Sequence, residues 1–251
     1  MIGATMNKRI ISFLLFAAVL ATALAFIACD GKSDGNDDWK DDMYLVLVNK
    51  TKPAGRDYTP EMLIGVDKSY TNREKSVSLE IKTANAVVSM IDAMRKDGID
   101  NVTVTSGYRT YEYQEQLFNS YIANEKAAHP TWSDEEVKDY VLTYSAYPGT
   151  SEHQTGLCVD LITDEMVGLW NYGSETPDNP YDKGFAETAA FEWLCEHAHE
   201  YGFILRFPEN KTDITGYSYE SWHYRYVGVE HAKKIYEKGI TLEEYLEGDE
   251  E

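Results

Sequence analysis

The chain holds 251 residues, with 43% hydrophobic and 13% aromatic side chains, seven prolines and three cysteines. These are values of a globular protein and exclude collagen-like, wholly disordered and disulfide-scaffold classes. Its 23 basic and 43 acidic side chains give a formal charge of -20, which repels a phosphate backbone, so no nucleic-acid partner is expected.

Residues 1–28 read as a signal peptide or membrane anchor. Lys8 and Arg9 precede Ile10 to Ala28, an unbroken apolar and small-residue run close to the ~20 residues that span a bilayer. The run closes on Phe26-Ile-Ala-Cys29, which resembles the lipobox of bacterial lipoproteins with Phe26 in place of the usual leucine. Lipidation at Cys29 and an uncleaved anchor are the two readings, and both make the protein exported, extracytoplasmic and membrane-tethered. Residues 29–42, rich in Asp and Gly, form an acidic flexible tether. Residues 43–251 are then a single folded domain, expected to be monomeric.

From Met43, the run Tyr44-Leu-Val-Leu-Val48 predicts a buried strand, and Lys50 to Pro60 a loop. Ala84, Val87, Val88, Ile91 and Met94 recur at helical spacing before Gly98. Val102 to Thr105 alternate as a strand ending at Ser106-Gly107, and Tyr113, Leu117, Phe118 and Tyr121 mark the next helix face. Ser133 and Glu136 have capping-box spacing for a further helix. Leu157 to Ile162 is a β-rich run, and Asn171 to Lys183 a polar loop. Phe191, Leu194, Cys195 and Ala198 give a helix that Gly202 ends. Phe203 to Phe207 and Tyr217 to Val227 predict two strands, Val229 to Lys238 a helix, and Thr241 with Glu244 a capped terminal turn. Helices and strands mix without a regular βαβ period, which points to α+β with an antiparallel sheet flanked by helices.

The chemistry concentrates in Ser151-Glu-His-Gln-Thr-Gly-Leu-Cys-Val-Asp160. In one straight strand His153 and Asp160 would face opposite sides, so the chain must turn between them, and Gly156 permits the turn. Asp160 lies in an apolar strand, where an unpaired carboxylate is costly and a metal resolves the cost. A second cluster, Glu220-Ser-Trp-His223, supplies another ligand type with a carboxylate just before it. Catalytic zinc wants three protein ligands and one open position for water, and a nearby carboxylate to take the water's proton. His153, Asp160, His223 and Glu220 fill those roles. Strand alternation would point Glu220 and His223 opposite ways, which places Glu220 in a turn before the strand. His129, His197, His199 and His231 read as surface or core histidines.

Ser151-x-His153-x6-Asp160 followed by Glu220-x-Trp-His223 resembles the VanY-type D-alanyl-D-alanine carboxypeptidases, peptidoglycan zinc metallopeptidases that share a fold with the hedgehog signalling domain. The similarity extends over Leu47-Val-Asn-Lys50, Ser106-Gly-Tyr-Arg-Thr110, Gln114, Tyr201-Gly-Phe-Ile-Leu-Arg206, Thr215-Gly-Tyr217, Trp222-His-Tyr-Arg-Tyr-Val-Gly228 and Leu242-Glu-Glu-Tyr-Leu246. The resemblance implies a hedgehog/DD-peptidase-like fold and Zn2+ held by His153, Asp160 and His223. It further implies Glu220 as general base and proton donor, Arg109 at the developing oxyanion, and Gln114 and Ser151 on the terminal D-alanine carboxylate. Ser221 stands where proline is frequent, and Cys158 where alanine is usual. By strand parity the Cys158 thiol shares a face with Asp160, where it packs as a small hydrophobe or lies close to the metal.

The implied substrates are peptidoglycan stem peptides, with D,D-carboxypeptidase activity favoured. An L,D-carboxypeptidase acting on tetrapeptide stems is one rival reading, and a wall-binding module of the same fold without turnover is another. Retention of both Glu220 and Arg109 speaks against the second, which has no physical need for either.

Overall fold

The computed structural model describes residues 42–71, 76–167 and 184–248. The predicted anchor, almost all of the tether and the whole of the Asn171 to Lys183 loop lie outside the described residues.

A four-stranded antiparallel sheet carries the architecture. Its strands are β3 (Val102–Ser106), β4 (Cys158–Thr163), β5 (Phe203–Phe207) and β6 (Glu220–Tyr226), in the order β3-β4-β6-β5. A short antiparallel pair, β1 (Leu63–Gly65) with β2 (Ser78–Glu80), leads into the first long helix, α1 (Ile81–Lys96). Two further helices, α2 (Tyr111–Ala128) and α3 (Asp134–Val141), follow β3. Helices Ala189–His197, Val229–Lys238 and Leu242–Glu247 and the short Thr212–Thr215 turn of helix follow among the described residues, so the α+β class with helices against an antiparallel sheet is the observed one.

Strand alternation sorts the sheet into two faces, and this sorting creates the site. Val159 and Leu161 of β4, Phe203 and Leu205 of β5, and Trp222 and Tyr224 of β6 pack in one apolar cluster with Val87, Met90, Ile91 and Met94 of α1. The intervening residues, Cys158 and Asp160 of β4, Arg206 of β5, and His223 and Arg225 of β6, therefore project to the other face. All five are buried. A face that is buried and charged must satisfy its charges internally, because unpaired ions cost several kcal/mol each out of water. A smaller apolar cluster around Leu45, Ile204, Val227, Ile235 and Leu242 closes one edge.

Local chemistry sets the element ends. Glu80 caps α1 by accepting from the backbone N–H groups of Lys82 and Thr83, at 2.9 and 3.1 Å. Thr110 caps α2 through Tyr113 N–H. The capping boxes at Ser133/Glu136 and Thr241/Glu244 both form.

Two expectations are corrected. Tyr44–Val48 is not a strand: Met43–Leu45 form a 3-10 turn and Val46 to Val48 belong to no strand. The carbonyls of Tyr44 and Val46 instead accept from Arg225 Nη2, at 2.9 and 2.7 Å, so a guanidinium replaces a neighbouring strand. The predicted strand Tyr217–Val227 begins only at Glu220, because Thr212–Thr215 turns helically and Gly216 follows in the left-handed region. Glu220 is thus the first strand residue, not a residue of the preceding turn.

Candidate metal centre

The segment that carries the first ligand folds as the turn expected of it. Glu152–Thr155 form a 3-10 turn, Gly156 reverses the chain at φ 69, and β4 starts two residues later. A Cβ at Gly156 would meet Leu63 Cδ2 at 3.0 Å and the Glu80 nitrogen at 3.1 Å, so both the backbone sign and the space demand glycine. The reversal swings His153 back over Asp160, and their Nε2 and Oδ2 atoms lie 3.3 Å apart. Asp160 is the register partner of His223 on β6, which brings His223 Nδ1 to 3.1 Å from Asp160 Oδ1.

The tautomer of His153 is fixed from behind. Its Nδ1–H donates to the Gly107 carbonyl at 2.7 Å, leaving Nε2 as the lone-pair nitrogen turned to Asp160. Gly107 is itself pressed between strands: a Cβ there would stand 2.7 Å from Ser78 O and from Val77 Cγ1.

One ligand atom from each of His153, Asp160 and His223 lies within 4.8 Å of the others, and all three residues are buried. Asp160 Oδ1 makes no hydrogen bond although it is enclosed. Buried acceptors without donors are rare and costly. Tetrahedral zinc with ligands at about 2.0–2.2 Å places ligand atoms about 3.3 Å apart, close to the 3.3 Å from His153 Nε2 to Asp160 Oδ2 and the 3.1 Å from His223 Nδ1 to Asp160 Oδ1. The donor set and its spacing fit zinc.

The electrostatics agree. Burial alone would raise the Asp160 pKa, but His153, His223 and Arg109 hold it well below the usual carboxylate range. Burial and the nearby Arg109 guanidinium lower His153 to about 4, which keeps it neutral. Burial also works to lower His223, and the carboxylates of Asp160 and Glu152 with the Cys158 thiol override it and raise the pKa. In the metal-free protein His223 therefore balances the buried negative charge.

The remaining expected residues gather around this centre. Arg109 Nη2 donates to Asp160 Oδ2 and its Nε to Ser106 Oγ, each at 3.0 Å, which fixes the guanidinium plane beside the ligands. Glu220 Oε2 stands 3.6 Å from His223 Nδ1. It reaches the same side as His223 because the β5–β6 register shifts between the pairs Leu205/Tyr224 and Phe207/Glu220, which breaks simple alternation. Gln114, on α2, donates from Nε2 to the Ala146 carbonyl at 2.9 Å. Gln114 and Ser151 line the same cleft as Arg109, Glu220 and the three ligands.

Sequence reasoning missed several contributors. Phe207 packs its ring 4.9 Å from that of His223, and Tyr217, which the sequence offers only as part of the resemblance, lines the cleft and donates from its hydroxyl to the Thr150 carbonyl at 3.1 Å. Glu152, between Ser151 and His153, carries no role in the sequence motif, yet it is buried and accepts from Arg206 Nε at 2.8 Å and Arg225 Nη1 at 2.9 Å. Two arginines set in otherwise apolar strands were the available signal. Cys158 belongs with Glu152 and His223 to a second buried group, and its thiol donates to Glu152 Oε2 at 3.5 Å. Burial and the Glu152 charge raise its pKa, so it is a neutral thiol.

Among known proteins, the profile of the VanY family, described as D-alanyl-D-alanine carboxypeptidase, matches residues 76–229. A D-alanyl-D-alanine carboxypeptidase of Enterococcus faecalis is 38% identical over 202 residues, covering 80% of this chain and 65% of the relative. The chain thus spans just under two thirds of that relative's length. The solved LdcB LD-carboxypeptidase superposes with a TM-score of 0.66 at 34% identity, covering 81% of this chain and 86% of that one. A mutant of the vancomycin resistance D,D-pentapeptidase VanY, in complex with Zn(II), superposes with a TM-score of 0.63 at 37% identity, covering 81% and 99%. The fold expected from the motifs is therefore the one seen, and a relative of that fold was solved with Zn(II).

Proposed function

Because the chain belongs to the VanY family of D-alanyl-D-alanine carboxypeptidases, which are metallo-carboxypeptidases, we propose that it removes the C-terminal D-alanine of peptidoglycan stem peptides, with the D,D-linked pentapeptide end favoured. The observation that carries the reading is the convergence of three buried ligand atoms, a carboxylate and a guanidinium on one cleft.

In this reading His153, Asp160 and His223 hold zinc, which when bound supplies an acidified water and a Lewis acid for the scissile carbonyl. Glu220, beside the ligands but outside their set, takes the water's proton and passes it to the leaving amine. Arg109 stabilises the charge that develops on the carbonyl oxygen, and its contacts to Ser106 and Asp160 hold it in place beforehand. Gln114 spends one N–H on Ala146 and keeps a second for the terminal carboxylate, which Ser151 also contacts.

L,D-cleavage of tetrapeptide stems is the second reading, favoured by the likeness to the LdcB LD-carboxypeptidase. The apolar run Ile10 to Ala28 and Cys29 support an exported protein tethered to the membrane, acting on the wall from outside. Mass spectrometry of defined pentapeptide and tetrapeptide muropeptides, incubated together with the zinc-loaded protein, tests the reading. Loss of one D-alanine from the pentapeptide alone is expected. Shortening of the tetrapeptide would move the assignment to L,D. No shortening of either with zinc bound would favour a wall-binding module.

A further inference from the structure

The two histidine ligands are held unequally. His153 has a short anchor on its outer nitrogen, the Gly107 carbonyl at 2.7 Å. His223 turns Nδ1 to the centre, so its outer nitrogen is Nε2, and that atom is buried without a hydrogen bond. A ligand imidazole that binds through Nδ1 must carry its proton on Nε2, and a buried N–H requires an acceptor.

Two acceptors face it, the Oε2 of Glu152 and the Cys158 thiol, and together with His223 they form a second buried group of potential ligands. The geometry points to Glu152 as the positioning residue that anchors His223 Nε2–H and thereby fixes Nδ1 as the zinc-binding nitrogen. Its Oε2 is 3.8 Å from Nε2, about 0.6 Å beyond the upper end of N–H···O bonding, a gap that a small rotation of the ring closes. This inference rests on the zinc reading above.

The carboxylate is prepared for this task. Arg206 Nε and Arg225 Nη1 both donate to Oε1, so Oε1 is committed, while Oε2, which accepts only the weak Cys158 thiol donor at 3.5 Å, faces the imidazole. Arg206 is held in turn by Glu243, which accepts from Nη1 at 2.8 Å and Nη2 at 2.6 Å. Arg225 is tied to the backbone at Tyr226, Tyr44 and Val46. Glu152 thus cannot swing away, and a chain of fully buried charged groups transmits the rigidity of β5, β6 and the Tyr44–Val46 segment to one metal ligand. The same two guanidiniums oppose a second divalent ion in the Glu152–Cys158–His223 group, so the carboxylate acts as a hydrogen-bond acceptor and not as a ligand.

The arrangement makes an asymmetric prediction for Glu152→Gln, which keeps shape and removes charge. Both arginines are donors only, so the amide oxygen must take the Oε1 place and the NH2 group must take the Oε2 place. A donor then faces Nε2–H, favouring the tautomer with the lone pair on Nε2 and the proton on Nδ1, where zinc must bind.

The test is a zinc titration of the metal-free protein against a chromophoric chelator, for the wild type, Glu152→Gln and Cys158→Ala, with the thermal transition of each metal-free protein measured alongside. Zinc affinity of Glu152→Gln is expected to fall about 10- to 100-fold, the usual effect of losing such an outer partner, while Cys158→Ala stays at the wild-type value. Unchanged affinity in a folded Glu152→Gln, or the loss appearing in Cys158→Ala instead, would overturn the assignment. If Glu152→Gln fails to fold, NMR of the zinc-loaded wild type decides. A downfield, slowly exchanging His223 Nε2–H that persists in Cys158→Ala is expected, and a fast-exchanging proton would overturn it. A wild type that binds no zinc would instead refute the metal reading itself, so the two failures are distinguishable.

Discussion

Replacing Glu220 by alanine separates the proposed proton carrier from the metal ligands. Its side chain is 16% exposed, at the first residue of β6, and its Oε2 stands 3.6 Å from His223 Nδ1. The three-ligand group forms without it, so zinc should remain. A partly exposed strand end, with no apolar side chain removed from the core, should tolerate alanine with little loss of stability. Turnover is different. A positioned general base contributes about 10²- to 10⁴-fold, which corresponds to about 2.7–5.5 kcal/mol of activation free energy. The assay is D-alanine release from a defined muropeptide, with zinc content and thermal stability measured on the same sample. Unchanged turnover would refute the role of Glu220. Loss of zinc together with turnover would refute the reasoning in another way, by making Glu220 a ligand.

Other perturbations follow from the same geometry. His223→Ala should lose stoichiometric zinc, which metal analysis would contradict by finding full occupancy. Arg109→Lys keeps the charge but cannot span Ser106 Oγ and Asp160 Oδ2 with one planar group, so kcat should fall about 10²-fold or more, as for loss of an oxyanion donor, with zinc retained; wild-type kcat would contradict this. Arg206→Met removes a guanidinium that is fully buried between Glu152 and Glu243 and should destabilise the fold by about 3–5 kcal/mol in urea unfolding, since Glu243 is left with only a 3.4 Å contact from Asn49. Gly107→Ala drives a methyl onto Ser78 O and Val77, displaces the carbonyl that anchors His153, and should weaken zinc binding measurably in a chelator titration.

The parts of this protein that were legible in its sequence are those in which one local rule acts alone. The apolar spacing of Val87, Ile91 and Met94 gave α1, and the Ser133/Glu136 and Thr241/Glu244 pairs gave two helix starts. His153 and Asp160 could be joined because parity required a turn and Gly156 allowed one. Features set by tertiary partners were not legible. Tyr44–Val48 has strand composition, but its carbonyls are satisfied by Arg225 from far along the chain. β1 and β2 are too short to show a period. Glu220 could be brought to the side of His223 only by the irregular β5–β6 register, which parity does not foresee. Glu152, a charged residue between two residues already assigned, reveals its role only once Arg206 and Arg225 are seen to meet on it.

The most direct test is a joint measurement of zinc content and muropeptide hydrolysis during titration of the chelator-treated protein with zinc. The account predicts no D-alanine release from the metal-free protein and full activity at one zinc per chain, with Asp160→Ala binding no stoichiometric zinc. Turnover that persists in the metal-free protein, or stoichiometric zinc in Asp160→Ala, would contradict it.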